Sequence, residues 1–128
     1  MTKAPKPTAG ELGILQVLWE RGPSTVRDVH QALHEKRKAL GYTTVLKLMQ
    51  IMTTKGLVRR DEKQRAHVYE ACQPAERTKQ QFAADMLQRV FDGSASDLMM
   101  HALAGHTASN EEMEELRRLL DEYERKLR

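Results

Sequence analysis

The sequence predicts a mainly α-helical chain in two parts, broken once by a short β-hairpin. Apolar residues recur at helical spacing over most of the 128 residues, and Gly, Pro and capping residues cut that periodicity into short segments. Charge divides unevenly. Residues 1–70 carry 13 Lys/Arg against 7 Asp/Glu, whereas residues 71–128 carry 8 against 11, within a net charge of +3. A basic half joined to an acidic half implies a division of labour, with the basic half facing a polyanion.

Residues 1–7, polar and Pro-containing, read as a loose arm. Thr8 and Glu11 have the spacing of a capping box ahead of Leu12, Leu15, Leu18 and Trp19, which predicts a first helix to about Glu20. Arg21-Gly22-Pro23 stops it, because Pro cannot continue the hydrogen-bond ladder. Ser24 or Thr25 caps a second helix with Val26, Val29 and Leu33 on its buried side; Glu35-Lys36-Arg37-Lys38 closes it with cations where the macrodipole favours them. A third helix enters through Gly41-Tyr42 and ends at Lys55-Gly56. Its apolar stripe is Val45, Leu48, Met49 and Met52, and Thr43, Lys47, Gln50 and Thr54 fall on the opposite face. Leu57–Arg60 and His67–Glu70 read as two strands around a loop of residues 61–66, a hairpin without the usual Gly or Asn in its turn. Three short helices followed by a basic hairpin make the outline of a winged helix-turn-helix domain, whose third helix enters the DNA major groove.

Pro74 marks the second part, so the division falls at residues 1–73 and 74–128. A helix from Ala75 to about Phe91 carries Phe82, Met86, Leu87, Val90 and Phe91. A second, opened by the capping spacing of Ser94 and Asp97, carries Leu98, Met99 and Leu103; a third opens at Ser109-Asn110 with acids in its first turn. In this last helix Met113, Leu116, Leu120, Tyr123 and Leu127 recur every three or four residues. Three such helices close little core by themselves, and stripes not covered within one chain are commonly covered by a second copy. The expectation is a helical homodimerisation domain using Phe82, Leu87, Met113, Leu116, Leu120 and Tyr123; the alternative is that these helices fold back on the first domain.

Catalysis and cofactors are not expected. One cysteine, Cys72, supplies neither a disulfide nor a cysteine metal site. His30 and His34 share a helix face but lack a third ligand and the Glu of an HExxH motif, and no Gly-rich phosphate loop or serine–histidine pair is present. No long apolar run and no leader pattern occur, which points to a soluble, cytoplasmic protein. DNA binding uses the groups that remain. Thr43, Thr44, Lys47, Gln50 and Thr54 present donors and acceptors for base edges, with Ile51 at the margin for a thymine methyl, and Arg60, Lys63 and Arg65 serve phosphates.

The segments ELGILQVLWERGPSTVRDVHQAL, YTTVLKLMQIMTTKGLVRR and SNEEMEELRRLLDE resemble the penicillinase repressor (BlaI/MecI) family over roughly residues 8–127. The resemblance implies a homodimeric repressor on an inverted-repeat operator, governing β-lactam-resistance-type or related genes. It also implies a membrane sensor protease as partner and relief of repression by cleavage in the C-terminal helices. The reading helix of the family falls on Thr43 to Lys55. Lys47 and Ile51 stand where many members have Thr and Arg, and His101-Ala102 stands at the place of an Asn-Phe scissile bond. The copper-responsive branch carries clustered cysteines where this chain has EYERKLR, which argues against copper sensing. Two rivals are a ligand-released regulator with a pocket of Phe82, Met86, Met99 and Met100, and a protein-interaction module.

Overall fold

Capping chemistry sets where the first two helices begin. The structure, a computed structural model, describes residues 6–128. The Thr8 hydroxyl accepts from Glu11 N, and the Glu11 carboxylate accepts from Thr8 N at 2.9 Å, opening α1 (Ala9–Arg21). Thr25 and Asp28 repeat the reciprocal pair and open α2 (Val26–Glu35), so Thr25 rather than Ser24 is the cap. Most of the expected arm, residues 1–5, lies outside the described residues.

Two glycines set the joints. Gly22 ends α1 at φ 80°, ψ −164°, a region essentially closed to other residues. Gly56 ends α3 (Tyr42–Lys55) in the left-handed conformation, and Leu57 N–H reaches back to the Met52 carbonyl at 2.9 Å. The chain then runs directly into β1 (Val58–Asp61), which pairs antiparallel with β2 (Val68–Ala71), Val58 opposite Ala71 and Asp61 opposite Val68. Both strands lie one residue later than expected at their starts. Ser24, freed from capping, adds a third rung: its N–H and carbonyl bond to Tyr69 at 2.9 and 2.8 Å. The hairpin is thereby tied to the joint between α1 and α2.

The core of this part is closed. Ile14, Leu15, Val17, Leu18, Val29, Leu33, Val45, Met49, Met52, Val58 and Tyr69 form one buried cluster, with Leu12, Trp19 and Leu48 only partly buried. α1 touches α2, α3 and β2, so it buries a wider arc than the single stripe of Leu12, Leu15, Leu18 and Trp19 expected for it. Trp19 instead donates its indole N–H to the Gln73 carbonyl at 2.9 Å, pinning the chain as it leaves β2.

α4 (Ala75–Arg89), α5 (Ala95–Ala104) and α6 (Asn110–Leu127) follow. α4 stops two residues before the expected Phe91. Two compact units part within α4, the first reaching Ala83 and the second running Ala84–Arg128. In α4 only Thr78 is buried, and α5 and α6 contain no buried residue. The α6 stripe stands open to solvent, with Leu120 70% and Leu127 72% exposed. No described helix is long and apolar enough to cross a membrane.

Candidate nucleic-acid interface

Burial of Val45, Met49 and Met52 fixes the rotation of α3 and so decides what it shows to solvent. Thr43, Thr44, Lys47, Gln50, Ile51 and Thr54 are all exposed. Ile51, at 38% exposure, belongs to this face and not to the core. The Thr54 hydroxyl donates to the Gln50 carbonyl at 3.3 Å. Lys47 makes no ion pair or hydrogen bond among the described residues.

The far end of the same helix is anchored. Lys55 Nζ lies 2.9 and 3.1 Å from the two carboxylate oxygens of Glu11, which is 1% exposed against 28% for Lys55. Burial alone raises the Glu11 carboxyl. Hydrogen bonds from Lys55 and from the Thr8 N–H and hydroxyl outweigh it and hold the group below its ordinary 4.5. Glu11, the capping-box partner of Thr8, is therefore also the counter-charge for the last turn of α3. That role was not visible in the sequence, because the partners lie 44 residues apart.

The wing sorts its cations. Arg59 pairs with Glu70 across the strands at 2.8 Å, and Arg60 pairs with Glu62. A hydrogen bond to the Tyr69 side chain and the charge of Glu62 push the Arg60 guanidinium above its ordinary value. Lys63 and Arg65 at the tip are exposed, and their side chains have no acidic partner among the described residues. Of the three wing cations expected to meet phosphates, the structure leaves Lys63 and Arg65 unengaged and ties Arg60 back to the protein.

Elsewhere the expected positions separate. Phe82 and Leu87 on α4 and Met113 and Leu116 on α6 are half-buried, while Leu120 and Tyr123 are exposed. The Lys6 ammonium sits 5.1 Å from the Phe82 ring centre. His101 and Ala102 are exposed inside α5, with His101 Nδ1 2.9 Å from the Asp97 carbonyl. No group of three metal-ligating side chains occurs among the described residues.

A closed three-helix core, a hairpin pinned beside the third helix and an exposed polar face on that helix define a winged-helix DNA-binding regulator. The family model for the penicillinase repressor matches residues 7–122, and the chain belongs to that family, one of transcriptional regulators and not of enzymes. It is 34% identical over 116 residues to the transcriptional regulator BlaI of Mycobacterium tuberculosis, in strains CDC 1551 and H37Rv alike, covering 89% of this chain and 82% of the relative. Its fold is similar to the solution structure of the DNA-binding domain of the repressor BlaI, with a TM-score of 0.50 at 20% identity. That likeness covers 59% of this chain and 90% of the domain.

Proposed function

We propose that this protein represses transcription as a homodimer on an inverted-repeat operator, in two units that part within α4. The exposed face of α3 reads bases: Lys47 donates to guanine O6 or N7, Gln50 pairs with adenine, and Thr43, Thr44, Thr54 and Ile51 meet base edges and thymine methyls. Lys63 and Arg65 hold phosphates, with Arg60 joining them where Glu62 releases it. The single observation that carries the reading is this uncovered α3 face, free of counter-charges, beside a wing tip with unengaged cations.

The dimer reading rests on α6. Met113, Leu116, Leu120, Tyr123 and Leu127 alternate spacings of three and four, the seam of a two-stranded helical pair; Met113 and Leu116 are half-covered, and the exposure of Leu120, Tyr123 and Leu127 leaves the rest of the seam unfilled in one chain. Family membership supports control of β-lactam-resistance-type or related genes and relief by a membrane sensor protease. His101-Ala102 is the proposed region of cleavage. α5 buries nothing, so it opens at low cost to present an extended segment.

Binding of the full chain to duplex DNA across a salt series tests the reading. Affinity that falls steeply and linearly on a log–log plot is expected; no binding to any duplex contradicts it.

A further inference from the structure

Between the start of α2, the start of α3 and the returning limb of the wing lies a groove of about 410 Å³, lined in part by Thr25, Arg27, Tyr42, Arg65 and His67. No acidic side chain lines it. Asp28, next to Arg27, is turned onto the Thr25 N–H in the capping box of α2, and Glu70, next to Tyr69, is paired with Arg59. Arg27, Arg65 and His67 have no hydrogen-bond or ion-pair partner among the described residues. Five other cations of the first unit, Arg21, Lys36, Lys55, Arg59 and Arg60, each meet a carboxylate, whereas Lys47 and Lys63, like the groove arginines, do not among the described residues.

Two guanidiniums from different elements that converge on a concave site without a counter-charge are held apart only by their mutual repulsion and by water. The chemistry that relieves this is an oxyanion able to accept from both. Arg65 stands on the wing and Tyr42 opens α3, so a strand of duplex passing between the wing and the exposed α3 face crosses this groove.

We propose that the groove seats one backbone phosphodiester of the bound duplex, gripped by Arg27 from α2 and Arg65 from the wing, with Tyr42 and His67 as further donors. The seat rests on α3 being the reading helix. It adds a function for α2, which fixes the register of the duplex without reading any base.

The test uses the full chain and a fluorescently labelled duplex of mixed sequence, followed by anisotropy over a salt series. Arg27→Gln and Arg65→Gln are each expected to weaken binding about tenfold, and the double variant, which leaves the phosphodiester without a cation, to lower the salt slope by about one. Because both arginines hold the same phosphodiester, the double variant weakens binding by clearly less than the product of the singles. Arg27→Lys placed beside Arg65→Gln, which returns one cation to the phosphodiester, restores the slope lost in the double variant. Arg59→Gln, outside the groove and already paired with Glu70, stays within about twofold of the parent, the usual range for a surface pair. Thermal melting of each variant establishes that the fold is intact. Arginine variants that bind like the parent, while Lys63→Ala binds more weakly, overturn the seat and leave the DNA reading standing. Fully multiplicative losses also overturn it, since they place the two arginines on separate phosphates. A parent chain that binds no duplex overturns both readings.

Discussion

The first unit and the last two helices use the same kinds of residue to opposite ends. In the first, apolar side chains from α1, α2, α3 and the hairpin meet one another, and the buried acid, Glu11, has its own cation. In α5 and α6 nothing is buried, and the acids face water in pairs along the helix, as Arg118 pairs with Glu115 and Glu122. A sequence stripe is thus only half of an interface. Where the chain supplies the other half it becomes a core; where it does not, much of the stripe stays in contact with water.

The largest expected effect comes from breaking the open stripe. Leu116→Asp with Leu120→Asp should give monomers in sedimentation while leaving the melting of the winged-helix unit unchanged. Operator affinity should fall about 100-fold or more, because linked half-site contacts become separate ones. A surviving dimer places the interface elsewhere. Next is the buried acid. Glu11→Ala should cost about 3 kcal/mol in chemical denaturation, the low end for breaking a buried pair, because Lys55 keeps part of its surface in water. The exposed Glu115→Ala should cost within about 0.5 kcal/mol. Equal costs would erase the contrast between the regions.

The sign of the pH effect follows from the lowered carboxyl of Glu11. Its stabilisation is fully present above the unfolded value near 4.5 and is lost as pH falls through the depressed folded value. Glu11→Gln should flatten that part of the acid limb. Within the reading face, Lys47→Ala should relax base preference at one position by about 1–3 kcal/mol, whereas Lys63→Ala should weaken all sequences alike. Identical profiles from both would contradict the division between base and phosphate. Smallest is Gly56→Ala, which forces a left-handed alanine at the end of α3 at about 1 kcal/mol, read as a lower melting temperature.

Much of this was legible in the sequence, because caps and stops act over three or four residues. Thr8 with Glu11, and Gly56, sit where the spacing places them, Thr25 is the one of the two candidate caps of α2 that caps it, and the outward face of α3 followed from Val45, Met49 and Met52. What the sequence concealed is non-local. Periodicity reports the direction of an apolar face and not the width of the arc that neighbours cover, so the burial of Ile14 and Val17 in α1 went unread. The Glu11–Lys55 pair, the Ser24–Tyr69 rungs and the sorting of Arg59 and Arg60 onto acids depend on which segments meet. The groove that gathers Arg27 with Arg65 has the same origin.

The most direct measurement is selection of bound fragments from a random DNA pool by the purified full chain, followed by sequencing. The proposed homodimer predicts an inverted repeat whose half-sites lie about one helical turn, or a small multiple of it, apart. Enrichment of a single unrepeated site, or of none, would contradict it.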